Sequence, residues 1–441
     1  MYAYFGIMLV LLGLIIGSMF VLSNHEAFAD LKGRAVNPLV ISAVLHVLFL
    51  IDFVNLFNAP TVDYFETKVD VTRPSVLEGL TLFSIYSGCH LLGWIFACAH
   101  RDKRDFKGFY APRPIAAQDQ WLALAFFAAG LLLTVLALPD VYRGRGDDLS
   151  YQMVSRGSML VTAASFLQPF SFSLLMSNLR RPESLWGISA TALIILSMSL
   201  LGNARILILV CCLCFATAVP LARRLPAWIL LVASLPSLLL LSFLRYANRE
   251  SGFSSFGEFI SAGGGLLNLF FGSEEISFAK SFTTVIEVGR YLPISFGSSI
   301  IAGLLYPVPR AIFPEKPYGA SGIFTAFLSP DRWAQTKSES LVTGYGDLYL
   351  QFGAVGSIVA VFMISYILAS VSIWIISRTA TEQVLLLHFV IWSWYSFFRG
   401  DVFNTALILY PGLVIFSVFY IIRSALHGFK VGSVSEKDRY S

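Results

Sequence analysis

Long apolar runs, each about as long as a lipid bilayer is thick, are the feature that most constrains how this chain folds. A helix needs about 20 apolar residues to cross the hydrocarbon core of a membrane. Eleven runs of this kind occupy residues 3–22, 38–57, 77–99, 120–139, 158–178, 184–201, 205–222, 226–244, 347–376, 384–398 and 403–422. The sequence therefore predicts an all-α integral membrane protein with about eleven transmembrane helices.

Composition supports this prediction. Of the 441 residues, 56% are hydrophobic and 13% are charged, whereas about 25% of the residues of a soluble domain are charged. Residues 1–22 contain no Lys or Arg, so they lack the positive region of a secretory signal, and we expect a retained first helix. All five cysteines fall inside predicted spans, which favours packing over disulfides or a zinc site.

Basic residues in the short connections predict the orientation, because cytoplasmic loops are enriched in Lys and Arg. Alternate connections and the C-terminal tail carry such residues: Lys32, Arg34, Arg101, Lys103, Arg104, Lys107, Arg113, Arg180, Arg181, Arg223, Arg224, Arg423, Lys430, Lys437 and Arg439. With an odd number of spans, this pattern places the N-terminus outside and the C-terminus in the cytoplasm. The chain then divides into an eight-helix bundle (1–244), a large external loop (245–346), three C-terminal transmembrane helices (347–422) and a cytoplasmic tail (423–441).

The large external loop contains predicted helices of its own. Between Phe253 and Ile286, large apolar residues recur at spacings of three and four, which predicts amphipathic helices that lie on the membrane surface. The run 291–313 is interrupted by three prolines, so we expect a re-entrant or short interfacial element there. A full span at 291–313 would make the number of spans even and place the basic C-terminus outside.

Motifs for nucleotide or metal chemistry are missing from the sequence. It has no P-loop, no dinucleotide-binding glycine pattern, no HExxH and no histidine pair at metal-ligand spacing, so we expect no cofactor, no metal and no nucleic-acid partner. No histidine falls in a predicted external loop; those at 46, 90 and 388 lie in spans, where hydrogen-bonded packing is expected. Carboxylates are therefore the candidates for proton transfer on the external face.

A charged tripeptide interrupts the last apolar stretch. Arg399, Gly400 and Asp401 lie in a predicted turn of four residues between two spans. Ionisable groups held at the membrane interface are candidates for a functional site. A salt bridge that caps a helix hairpin is the alternative interpretation.

Several motifs occur in an order that resembles a known family. They are GNAR (202–205), YPVPR (306–310) followed by PEKP (314–317), GDLYLQFG (346–353) and RGD (399–401). Together they resemble the Wzy-type polymerases of bacterial O-antigen and capsular repeat units, over residues 200–402. The family often has Glu at the position of Asp347.

The resemblance implies a metal-independent glycosyltransferase of the bacterial inner membrane, with its active site facing the periplasm. Such enzymes transfer a glycan from undecaprenyl diphosphate to the terminal sugar hydroxyl of another lipid-linked repeat unit, in the biosynthesis of lipopolysaccharide and other polysaccharides. The implied partners are the lipid-linked donor and acceptor, membrane lipids and a chain-length regulator protein.

Candidate site residues follow from what this reaction requires. The diphosphate needs cations, and arginine binds phosphate oxygens through two parallel hydrogen bonds; the candidates are Arg205, Arg290, Arg310, Arg399 and Lys316. The attacking hydroxyl needs a general base, for which Asp401, Asp347 and Glu339 are unranked candidates. Tyr349 is a candidate sugar contact, with packing at the membrane interface as the alternative.

Two other functions stay open. O-antigen ligases resemble these polymerases but have a functional histidine in the large external loop, where this chain has none. A flippase or transporter of lipid-linked oligosaccharide commonly has repeated halves and polar residues near the bilayer midplane. This chain has no internal repeat, and Asp52 is the one clear acidic residue near the interior of a predicted span.

Overall fold

A computed structural model describes residues 1–24, 37–58, 61–64, 67–100, 117–143, 164, 167–172, 175, 185–200, 278–308, 312–336, 342–376, 390 and 392–437. These residues are almost entirely helical. The helices are α1 (Tyr2–Leu22), α2 (Pro38–Asn58), α3 (Arg73–Ala99), α4 (Ala117–Arg143), α5 (Leu185–Leu200), α6 (Phe278–Gly289), α7 (Ser298–Leu304), α8 (Ala320–Leu328), α9 (Pro330–Thr336), α10 (Gly344–Ile376) and α11 (Val402–Lys437). Strands β1 (Thr61–Tyr64) and β2 (Thr67–Asp70) pair antiparallel between α2 and α3.

Six helices in the described part of the chain are long and apolar enough to cross a membrane. They are α1, α2, α3, Trp121–Pro139 within α4, Gly344–Ile375 within α10 and Val402–Leu426 within α11. These six helices coincide with six of the predicted spans, so the protein is an α-helical membrane protein. The predicted spans at 205–222 and 226–244 lie outside the described residues, and those at 158–178 and 384–398 are described only in part.

Helices α3 and α10 pack side by side through a close crossing at Gly93. A Cβ atom at this glycine would lie 2.8 Å from the backbone nitrogen of Tyr366 and 2.9 Å from Cβ of Ser365. Small residues let membrane helices approach closely, because interhelical packing there depends on van der Waals contact. The crossing fixes α10, which carries Asp347, against α3.

Two buried histidines join α2, α3 and α10, as expected for packing histidines in spans. His90 Nδ1 lies 2.7 Å from Ser365 Oγ, and its Nε2 accepts from Trp94 Nε1 at 3.1 Å. His46 Nδ1 donates to the carbonyl oxygen of Ser42 at 2.7 Å. The packing prediction is confirmed for these two residues, whereas residue 388 lies outside the described part of the chain.

Helix α6 differs from the sequence expectation. The amphipathic pattern predicts a helix on the membrane surface, but α6 packs against α2, α3 and α10, and most of its side chains are buried. Asp52, near the C-terminal end of α2, accepts a hydrogen bond from Lys280 N at 2.9 Å. That N–H belongs to the first turn of α6, where helical partners are missing. The expected surface position is therefore wrong for α6, because its apolar face meets other helices.

The segments around the C-terminal helices agree with the predictions in part. Residues 298–304 form only the seven-residue helix α7, which is too short to cross a membrane, so 291–313 is not a full span. Helix α10 is interrupted at Gly353, whose φ of 68° is accessible to glycine, and a short N-terminal part carrying Asp347 precedes the long apolar part. Helix α11 continues to Lys437, so most of the predicted tail is helical.

Candidate functional site

Two aspartates meet at the N-terminus of α11. Asp401 directly precedes the helix, and its Oδ1 accepts a hydrogen bond from Asn404 N at 2.5 Å, as an N-cap residue does. Asp347 lies in the first turn of α10, and its Oδ2 accepts from Val402 N at 2.9 Å. Both carboxylates thus bind N–H groups in the first turn of one helix, where negative charge is stabilised.

Two serines hold the other oxygens of these carboxylates. The Ser299 hydroxyl donates to Asp347 Oδ1 at 2.7 Å and accepts from Ala320 N at 2.6 Å. The Ser321 hydroxyl donates to Asp401 Oδ2. Both serines and both aspartates are fully buried. The four side chains therefore connect α7, α8, α10 and the start of α11.

Neither serine was a predicted site residue. They lie in the small-residue stretches GSS (297–299) and GAS (319–321), which follow no spacing rule that points to a carboxylate. The one local signal is Gly319, where an added Cβ would lie 3.3 Å from Asp401 Oδ2. A larger residue at 319 would crowd the carboxylate.

The residue directly before α10 has an unusual backbone conformation. Thr343 has a φ of 60°, in the left-handed region that β-branched residues rarely adopt. Its hydroxyl accepts from Gly346 N at 3.1 Å, and its carbonyl accepts from Asp347 N at 2.8 Å. Backbone strain of this kind occurs most often at functional sites. It supports the choice of Asp347 as a site residue.

Burial controls the electrostatics of Asp401. Removal from water raises the pKa of this carboxyl above its ordinary value of 3.8, and the hydrogen bonds from Asn404 and Ser321 oppose the rise. A second buried carboxylate, Asp347, binds the same helix end. Like charges placed near one helix end disfavour each other.

Two of the predicted cations lie on the same side of the fold as the carboxylates. Arg399 precedes Asp401 by two residues, is half-buried and donates from Nη1 to the Tyr395 hydroxyl at 3.2 Å. Lys316 is only 6% exposed, and its ammonium donates to the carbonyl oxygens of Tyr306 at 3.1 Å and Val308 at 3.5 Å. Lys316 thus connects the PEKP motif to the YPVPR motif.

Arg290 and Tyr349 lie elsewhere. Arg290 forms an ion pair with Glu78 of α3, which raises the pKa of its guanidinium, and both side chains are nearly half exposed. Tyr349 packs against the end of α6, where a Cβ at Gly289 would lie 3.1 Å from its ring. Residues two apart on a helix point in nearly opposite directions, so Tyr349 faces away from Asp347. The structure does not bring these two candidates to the carboxylates.

The remaining predicted site residues, Arg205, Arg310 and Glu339, lie outside the described residues. Within the described ranges, no group of three or more His, Cys, Asp or Glu side chains is placed to hold a metal ion.

The buried carboxylates of this site can act in two ways, as a base and as caps of a helix. A buried carboxylate with a raised pKa is suited to take a proton from a hydroxyl group. The same carboxylates stabilise the first turn of α11.

Among known proteins, no family model, no curated protein and no solved structure matches this chain.

Proposed function

We propose that this protein polymerises oligosaccharide repeat units linked to undecaprenyl diphosphate. One observation carries the proposal. The GDLYLQFG and RGD motifs are far apart in the sequence, yet their carboxylates, Asp347 and Asp401, bind the first turn of the same helix. The PEKP motif lies beside them, because Lys316 is 6.0 Å from the ring of Phe403 in that turn. This convergence supports the proposal that the motifs form one site.

The reaction makes one glycosidic bond and breaks one bond to diphosphate. The terminal sugar hydroxyl of the acceptor attacks the anomeric carbon of the donor glycan, and undecaprenyl diphosphate leaves as an anion. The hydroxyl proton goes to a carboxylate, for which Asp401 and Asp347 are the described candidates and Glu339 is a third. A base of this kind contributes about 10²–10⁴-fold to the rate.

The cations near this site are the proposed ligands of the diphosphate. Arg399 is the strongest described candidate, because it precedes Asp401 by two residues and is half-buried. Arg205 and Arg310 stay candidates from the sequence motifs. Arg290 is weaker, because Glu78 already binds its guanidinium. Lys316 is weaker as a direct ligand, because its ammonium binds backbone carbonyls.

The proposed setting is the bacterial inner membrane, with eleven spans, the N-terminus and the site in the periplasm, and the C-terminus in the cytoplasm. The positions of the six long apolar helices and the distribution of Lys and Arg support this topology. A chain-length regulator protein is the proposed protein partner, and membrane lipids surround the bundle.

The product-length distribution tests the function. Purified protein in lipid receives lipid-linked repeat units from its own host without nucleotide, and with or without lipid A-core. We expect a ladder of multiples that needs no lipid A-core. The Asp401→Asn variant should lower turnover by about 100-fold or more, whereas Asp331→Asn, which changes an exposed carboxylate on α9, should leave it unchanged.

Two results would overturn the proposal. Transfer that occurs only with lipid A-core would make the protein a ligase. The absence of any covalent product in both conditions would favour a flippase or transporter of lipid-linked oligosaccharide.

A further inference from the structure

We infer that the chain leaves the carboxylate site after Ser299 and returns to it at Gly319 as a re-entrant hairpin, and that the tip of this hairpin, residues 301–308, contacts the acyl chains of the surrounding membrane. Both ends of the segment lie at the carboxylate site. Ser299 binds Asp347 at one end, and a Cβ at Gly319 would lie 3.0 Å from Cβ of Phe403 at the other. The chain therefore leaves the start of α11 and returns to it.

Between these ends, the segment runs along α11. A Cβ at Gly303 would lie 3.1 Å from Cβ of Ala406, and the Tyr410 hydroxyl donates to the Leu304 carbonyl oxygen at 3.1 Å. Ala406 and Tyr410 lie about 6 and 12 Å along the helix from Val402, at 1.5 Å per residue. Because the apolar part of α11 begins at Val402, these contacts place the tip of the hairpin beside the membrane-crossing part of that helix.

Six carbonyl groups of the tip have the internal hydrogen bonds that a bilayer requires. Hydrocarbon offers no hydrogen bonds, so non-helical backbone at that depth must be satisfied within the protein. Turn bonds satisfy the carbonyls of residues 301, 303 and 305, with N···O distances of 2.9 to 3.0 Å. Tyr410 binds the carbonyl of residue 304, and the Lys316 ammonium binds those of residues 306 and 308. Pro307 has no N–H to satisfy.

This pattern gives Lys316 a role other than direct phosphate binding. Its nearly buried ammonium lies 5.4 Å from the centre of the Tyr306 ring, so the aromatic face stabilises the charge while two carbonyls accept hydrogen bonds from the ammonium. Lys316 thus completes the hydrogen bonding of the tip.

The side chains at the tip match a lipid environment. Leu304 is 67% exposed and Ile301 is 47% exposed, although both are apolar. They continue the apolar exposed surface of α11, where Leu413 and Val414 are more than half exposed. Since α11 is long and apolar enough to cross the membrane, lipid covers that surface, and the adjoining tip surface lies in the same leaflet.

Nitroxide labels in vesicles of phosphatidylcholine and phosphatidylglycerol test the inference. The full-length protein, with its five native cysteines replaced by Ala, carries one label at Leu304→Cys or Ile301→Cys. Val414→Cys serves as the lipid reference and Asp331→Cys as the water reference. Power saturation compares collisions with oxygen, which concentrates in the bilayer, and with a water-soluble nickel chelate.

We expect the oxygen-to-nickel collision ratio at both tip positions to rise above that of Asp331→Cys to the value of Val414→Cys. A ratio equal to that of Asp331→Cys would overturn the inference, because the tip would be in water. Dipolar broadening between labels of two copies would also overturn it, because a second copy would cover the surface. Neither result depends on the proposed reaction.

Discussion

Replacing Asp347 tests how the N-terminus of α11 is held. In the folded protein, this buried carboxylate accepts from the Ser299 hydroxyl, which is also buried, and from Val402 N–H, which is partly buried. An alanine leaves both donors without an acceptor, at about 1–3 kcal/mol each. Asp347→Ala should therefore lower the free energy of unfolding by about 2–6 kcal/mol.

The asparagine variant should be much milder. Its amide oxygen can accept from Val402 N–H, and its amide nitrogen can donate to Ser299 Oγ after the hydroxyl rotates. Asp347→Asn should therefore cost about 1 kcal/mol. Equilibrium unfolding in mixed micelles with increasing dodecyl sulfate, followed by circular dichroism, measures both values.

Ser372→Ala is the matched control, because Ser372 is buried on the same helix and its hydroxyl has no hydrogen-bond partner in the described part of the chain. It removes no bond and should change stability by less than about 0.5 kcal/mol. If Asp347→Ala were no more destabilised than this control, the two hydrogen bonds would not hold α11 and the reasoning would be wrong.

Three further predictions concern pH, the hairpin and helix packing. Burial raises the pKa of Asp401 above 3.8, so its protonated form stabilises the fold below about pH 4. This stabilisation is lost as pH rises through the folded-state pKa, and Asp401→Asn should remove that part of the pH dependence of unfolding. Lys316→Met should cost about 1–3 kcal/mol, because two carbonyls lose their donor, whereas Lys316→Arg should cost less in the same unfolding assay. Gly93→Val should cost about 1–3 kcal/mol through overpacking against Tyr366, while Gly13→Ala, with no atom within 4 Å, should be neutral.

Each of these predictions has an outcome that contradicts it. An unchanged pH dependence in Asp401→Asn would mean that this carboxyl does not couple to folding. Equal stability of Lys316→Met and the wild type would remove the ammonium from the hairpin's hydrogen bonding. Equal effects at Gly93 and Gly13 would show that α3 and α10 do not cross closely.

The helices that cross the membrane are the most predictable part of this protein. Helix α2 was expected at 38–57 and is observed at Pro38–Asn58, because bilayer thickness sets the length of an apolar run. The pattern of α6 was equally clear, but an apolar face packs as well against helices as against lipid. Its position beside α2, α3 and α10 was therefore not predictable from its own residues.

The residues of the candidate site were also predictable only in part. Asp401 was a candidate because ionisable groups are costly at the membrane interface, and that cost is visible in a single chain segment. Asp347 was a candidate because its motif resembles that of a known family. Ser299 and Ser321 were missed, because a serine is unremarkable until its neighbour in space is known. Arg290 was expected to bind diphosphate, but Glu78 from a distant helix binds its guanidinium.

The sequence by itself determined that this is a membrane protein, where six of its long apolar helices lie, and which ionisable residues are costly to place there. These properties depend on the energy of transferring a segment into lipid, which is a sum over neighbouring residues. Only the tertiary structure decided which helix ends meet, that two carboxylates cap one helix, and that Lys316 binds the carbonyls of the hairpin tip. Those contacts depend on distance and direction between residues far apart in the chain, and the residues' own types do not encode them.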